Sequence, residues 1–111
     1  MRRGDVVVVA LPGDLGKPRP AVIVQIDVLN DNLRTVIVCP ISSFSSAPNF
    51  FRVALEPTPE NGLRLPSEIM IEKVQAANRS KVGKVIGRLN EQDLSRLARS
   101  LTVALGLANQ Q

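Results

Sequence analysis

The side chains able to do chemistry are few in this chain. It has no histidine and one cysteine, so counting alone excludes a His acid–base pair, a His metal site, a Cys zinc cluster and an intrachain disulfide. Cys39, inside Thr-Val-Ile-Val-Cys-Pro-Ile, reads as a small buried hydrophobe, because no His is there to activate it as a nucleophile. What remains is a chemistry of cations and hydroxyls. In Lys17-Pro-Arg-Pro20 a proline on either side stiffens the backbone around Arg19, which suits a fixed guanidinium contact to a phosphate; the competing reading pairs Arg19 with Asp5 or Asp14. Ser42-Ser43 follows an apolar run, where a hydroxyl either points into a cleft at the rim or bonds its own backbone in a turn.

Charge adds a second signal. Lys plus Arg is 14 and Asp plus Glu is 10, a net +4 too modest to name a partner by itself. Its distribution says more: no acid lies between Glu72 and Glu91, a stretch holding Lys73, Arg79, Lys81, Lys84 and Arg88. Such a stretch makes a positive face for phosphates or an acidic protein segment, or else a solvated surface neutralised from other strands. A stacked-aromatic RNA platform would have only Phe44, Phe50 and Phe51 to work with, which argues against an RNA-recognition-motif sheet.

The elements that must hold these groups follow from the apolar patterning. Val6–Ala10 is a continuous β-branched run, as in a strand buried on both faces, and Leu11–Pro20 is loop chemistry rich in Pro and Gly. Ala21–Ile26 reads as a second strand, Asp27–Leu33 as a turn and Arg34–Cys39 as a third strand ended by Pro40. After a polar loop over Ser42–Pro48 come a fourth strand at Phe50–Leu55, a loop at Glu56–Pro66, partial alternation at Ser67–Glu72 and a last short strand at Gly83–Arg88. Asn90-Glu-Gln-Asp93 resembles a capping box, and Leu94, Leu97, Leu101, Ala104 and Leu105 recur at helical spacing. A helix over Asn90–Leu105, roughly 24 Å long at 1.5 Å per residue, covers one side of a small sheet and stops at Gly106, leaving Ala108–Gln111 to fray. The expectation is a single domain over residues 1–111: a mainly β fold, a small twisted sheet closing into a partial barrel, with a C-terminal helix. The run Val6–Leu11 is too short for a signal sequence or membrane span, so a cytoplasmic protein is expected.

Taken in order, Arg3-Gly-Asp-Val6, Arg19-Pro-Ala-Val-Ile-Val24, Val36-Ile-Val-Cys-Pro-Ile-Ser42, Leu65-Pro-Ser67 with Glu72, and a final helix ending Leu105-Gly106-Leu107 resemble the MazF/PemK-type toxins over nearly the whole chain. The resemblance implies an SH3-like barrel, a homodimer, and a sequence-selective endoribonuclease cutting single-stranded RNA. It also implies a cognate antitoxin whose acidic, flexible tail lies across the active groove. The family's catalytic Arg and hydroxyl fall on Arg19 and Ser42, with Ser standing where Thr is usual. Glu72 matches a recurrent acid, as base or as brace for Arg19 or a strand end, and Ser67 is a further groove candidate. Lys17, Ser43, Lys73, Arg79 and Lys81 are the candidate RNA-binding residues. No cofactor or metal is expected: the substrate's own 2′-OH would attack phosphorus, leaving a 2′,3′-cyclic phosphate and a 5′-OH, while Arg19 stabilises the developing charge. Two other readings stand beside this one. A CcdB-type gyrase poison shares the barrel and dimer, but that family ends in Trp-Gly-Ile and this chain has no Trp and ends Ala108-Asn-Gln-Gln111. A catalytically silent relative kept for RNA or protein binding is the other.

Overall fold

Alternating burial on both faces of one sheet organises the protein. The computed structural model describes residues 1–14, 16–43 and 52–107. Phe44, Phe50, Phe51 and Ala108–Gln111 lie outside these described residues.

Strands β1 (Asp5–Ala10), β2 (Pro18–Ile23) and β3 (Thr35–Ser43) form the centre, with the one-turn helix α1 (Asp27–Asn30) between β2 and β3. Then come β4 (Val53–Leu55), β5 (Ser67–Ile69), β6 (Gln75–Asn78), β7 (Val82–Arg88) and the helix α2 (Glu91–Ala104). The sheet runs β4-β5-β3-β2-β1-β7, with β6 also paired to β3, an open path consistent with a partial barrel. Because successive side chains point to opposite faces, β1 feeds two cores. Val6 packs with Val22, Cys39, Ile41, Ile69 and Leu97 of α2, whereas Val7 and Val9 pack with Ala21, Ile23, Val36 and Val38. The continuous apolar run Val6–Ala10 is thus a strand covered on both sides, as its sequence predicts.

The closing helix forms where its signals place it. The Asn90 side chain accepts from Asp93 N–H at 2.7 Å, satisfying one of the donors left open at a helix start. At the other end Gly106 takes φ +70, its N–H donates to Val103 O at 3.1 Å, and Leu107 N–H donates to Thr102 O at 2.8 Å, a Schellman stop. Leu97 is buried and Leu94 and Leu101 pack beside it, but Ala104 and Leu105 are exposed: among the described residues nothing covers the last turn.

Four expectations need correction. β2 starts at Pro18 rather than Ala21 and ends at Ile23 rather than Ile26, and the turn Asp27–Leu33 begins as α1, with Asn30 buried and bonded to Gln25 O at 2.9 Å. β3 does not end before Pro40 but runs through it. There Pro40 O accepts from Met70 N–H (2.8 Å), and the Met70 carbonyl, which receives no N–H from a proline, accepts from Lys73 N–H (3.0 Å) in the 3₁₀ turn Ile71–Lys73. Pro40 sits where the partner of β3 changes from β6, paired at Thr35–Val38, to β5, paired at Ile41–Ser43, so no regular ladder is broken. Finally, β6 lies inside the basic stretch; only Ala77 of its four residues is buried, so it carries no apolar period and forms because the β3 edge offers a ladder.

Candidate active-site cleft

The cleft is made by prolines that stop one ladder. β2 and β3 pair at Ile23–Val38, Val22–Cys39 and Ala21–Pro40, and no further. Beyond that point β2 continues against β1, with Pro20 opposite Val8, Arg19 opposite Val9 and Pro18 opposite Ala10, while β3 continues against β5 through Ile41, Ser42 and Ser43. Pro18 and Pro20 have no N–H to bridge to β3, so the two strands part. The gap is a cleft of about 430 Å³ lined by Arg19 and Pro20 from one side and by Ile41, Ser42 and Ser43 from the other.

The far wall is the loop between β4 and β5, and buried Asn61 builds it. Asn61 Oδ1 accepts from the N–H groups of Thr58 and Leu63, both at 3.0 Å, and Nδ2 donates to Glu56 O at 2.8 Å. Gly62 follows at φ +71 and is pressed onto β7 so closely that an added Cβ would sit 2.0 Å from Ile86 O; only glycine fits. Gly62, Leu63, Arg64 and Leu65 then line the cleft, and Ser67, buried and donating from Oγ to Leu65 O at 2.8 Å, closes it.

Arg19, Ser42, Ser43 and Ser67, four of the residues singled out in the sequence, therefore meet in one cleft. Arg19 also borders a neighbouring hollow of about 170 Å³ with Asp14, Pro40, Lys73 and Gln75. Its Nε lies 2.7 Å from Asp14 Oδ2, the alternative pairing weighed above, but off the direction of a hydrogen bond, so Nε stays buried without a hydrogen-bond acceptor. Among the described residues Ser42 Oγ makes only a long 3.3 Å contact, to Ser43 O.

Other candidates lie elsewhere. Glu72 does not brace Arg19. It holds Arg52, whose Nε donates to Glu72 Oε2 at 3.0 Å and whose Nη2 also reaches Glu72, while Nη1 donates to buried Glu68 at 2.7 Å. The bonds from Arg52 hold the Glu72 carboxyl below its ordinary value, and in return keep Arg52 more firmly protonated. Arg79 donates to the carbonyls of Asn30 and Leu33, fastening the α1 turn. Lys81 borders a separate hollow with Ala10, Leu11 and Asn78, and Lys17 is exposed outside the cleft lining. Lys73 lines the hollow beside Arg19. Burial, and then the charge of Glu72, push the Cys39 thiol up to about 12, so it is inert in the core. Among the described residues no group of His, Cys, Asp and Glu is arranged to hold a metal, and no helix is long and apolar enough to cross a membrane.

Sequence reasoning missed Arg64 and Arg52. Arg64 sits two residues after Gly62 in Gly-Leu-Arg-Leu-Pro, where a turn glycine followed by a cation was the available sign. Arg52 gave no sign, since its carboxylates come from 16 and 20 residues further along the chain.

A small open β-barrel with an arginine and hydroxyls facing across a splayed strand pair defines a class of site suited to a polyanion backbone. Residues 2–105 match the PemK-like, MazF-like toxin family of type II toxin–antitoxin systems, and the chain belongs to that family. It is 41% identical over 109 residues to a protein of Mycolicibacterium smegmatis named probable endoribonuclease MazF, covering 97% of this chain and 99% of the relative. Its fold matches the Mycobacterium tuberculosis toxin MazF-mt6 with a TM-score of 0.79 at 24% identity, over 92% of this chain and 96% of that one. It also matches a mycobacterial endoribonuclease solved in complex with its cognate antitoxin, with a TM-score of 0.82 at 19% identity and 99% of each chain covered.

Proposed function

We propose that this toxin is an endoribonuclease in which residues 1–111 act as one domain, cutting single-stranded RNA with the substrate's own 2′-OH as nucleophile. The observation that carries the reading is the meeting of Arg19 and Ser42 across the gap between β2 and β3. As O2′ attacks the adjacent phosphorus, the O2′–P bond forms and the P–O5′ bond breaks, giving a 2′,3′-cyclic phosphate and a 5′-OH. Negative charge grows on the non-bridging oxygens, and the Arg19 guanidinium, always protonated, is the donor set beside them. The proton of the 2′-OH passes to solvent water and the leaving O5′ takes one up from water, while Arg19 donates a hydrogen bond to that oxygen and keeps its own proton. Ser42 holds the phosphate in line with the attacking oxygen. Glu72 is engaged by Arg52 and plays no part as base.

The M. smegmatis relative, named as a probable endoribonuclease, supports this reading. The relative solved with its cognate antitoxin supports a protein inhibitor, whose acidic flexible tail would satisfy the cations of the cleft. A homodimer in the cytoplasm completes the proposal.

The test is incubation of the purified chain with long single-stranded RNA in EDTA, beside Arg19→Ala. Discrete cuts that vanish in the variant are expected. Intact RNA from folded, antitoxin-free protein overturns the reading, and altered DNA supercoiling in a separate gyrase assay with magnesium would move it to a gyrase poison.

A further inference from the structure

We propose that Arg64 and Leu65 form a nucleotide subsite beside the reacting phosphate, Arg64 binding a neighbouring phosphate and Leu65 taking the face of the base. The subsite presupposes the ribonuclease reading of the cleft and names the substrate contact that reading lacks.

Charge points to it first. Among the described residues Arg19 and Arg64 are the two ionisable side chains lining the cleft, and no acid lines it. Arg19 has Asp14 beside it, whereas Arg64 makes no ion pair or side-chain hydrogen bond among the described residues. Two guanidiniums bordering one space of about 430 Å³ repel each other unless an anion lies between or beside them. A strand with phosphates at successive nucleotides supplies one anion to each. A free phosphate or a single carboxylate supplies only one.

The lining between the cations is apolar. Leu65 is 59% exposed, and it shares the cleft with Pro20, Leu63 and Ile86. Among the described residues no aromatic ring lines this cleft, and Pro20, Leu63, Leu65 and Ile86 offer a base an aliphatic surface. The volume lies in the range of clefts that take a small organic ligand, about 300–1,000 Å³.

The wall is also fixed before any ligand arrives. Asn61 ties its start, Gly62 is seated on the Ile86 carbonyl, and Ser67 Oγ holds Leu65 O at 2.8 Å. A backbone already in place costs little further ordering when RNA binds.

The experiment compares wild type with Arg64→Ala, Arg64→Lys and Leu65→Ala, taking Arg99→Ala on the exposed face of α2 as a control that removes the same charge. All the substituted residues are exposed, and thermal unfolding confirms that each variant folds. Steady-state cleavage of mixed-sequence single-stranded RNA gives kcat and KM, and binding of the 2′-deoxy strand of the same sequence gives the salt dependence without turnover. Arg64→Ala is expected to raise KM about tenfold, more than it lowers kcat. It also reduces the slope of log affinity against log salt by about 0.7, the loss of one phosphate contact on a single strand. Arg64→Lys restores the slope. Leu65→Ala keeps the slope and redistributes the cuts among sites. The subsite is overturned if Arg64→Ala matches wild type in KM and slope, if Arg99→Ala reproduces its effect, or if the cut pattern of Leu65→Ala is unchanged. RNA left intact by the wild type overturns the ribonuclease reading, and the subsite with it.

Discussion

Ser42 offers a hydroxyl without the methyl that would restrain χ1. Among the described residues its Oγ is held only by the long contact to Ser43 O. Ser42→Ala is expected to lower kcat on the order of 10²-fold, the usual cost of one preorganised donor, while Ser42→Thr keeps the hydroxyl and remains active. Initial-rate assays on one RNA check both. Glu72 gives the contrasting case. Its bonds from Arg52 hold its carboxyl below the ordinary 4.5, so between the folded and unfolded values the unfolded chain binds more protons and stability rises with pH. The contribution is complete above the unfolded value and is lost as pH falls through the folded one. Because Glu72 is partly exposed, solvent screens the pair and the contribution is modest. Urea midpoints between about pH 3 and 6 should fall more steeply for wild type than for Glu72→Gln. The same variant should keep most of its cleavage activity; a loss as large as that of Ser42→Ala would show that Glu72 takes part in the reaction.

At the scale of elements, the site exists because one strand pair is interrupted and one loop is pinned. Pro20→Val gives β2 an N–H where the ladder with β3 stops, and is expected to extend the pairing, narrow the cleft and lower kcat/KM while the fold persists. Gly62→Ala meets both a positive φ and the Ile86 carbonyl. The conformation alone costs about 1–2 kcal/mol, and the close approach adds to it. Urea unfolding should show that loss, and because Leu63–Leu65 must shift, KM should rise as well. These elements also show how far the sequence could be read. β1 and α2 were legible because each has a clean signal: an unbroken β-branched run, or helical spacing between an Asn cap and a Gly stop. That Arg19, Ser42 and Ser67 share one cleft was legible through the ordered family pattern, whereas their roles in it are proposals. The course of β3 through Pro40 was not, because a proline is tolerated where a strand changes partners, and that change is a property of the sheet. Nor was the pairing of Glu72 with Arg52, which depends on β4, β5 and the turn after β5 coming together.

For the whole molecule, a core on each face of the sheet frees the loops at one end to shape a cleft, and the α2 overhang leaves Val103, Leu105 and Leu107 in water. The chain brings an arginine and hydroxyls to that cleft and has no histidine anywhere, and the proposed catalysis takes its nucleophile from the substrate. The most direct measurement is the chemistry of the ends it leaves. An RNA containing one mapped cut site is digested with purified protein, beside the same RNA carrying a single 2′-deoxy nucleotide immediately 5′ of the cut. The account predicts a 2′,3′-cyclic phosphate and a free 5′-OH at the cut, and no cleavage at the 2′-deoxy position. A 5′-phosphate end, or undiminished cutting of the 2′-deoxy substrate, would contradict it.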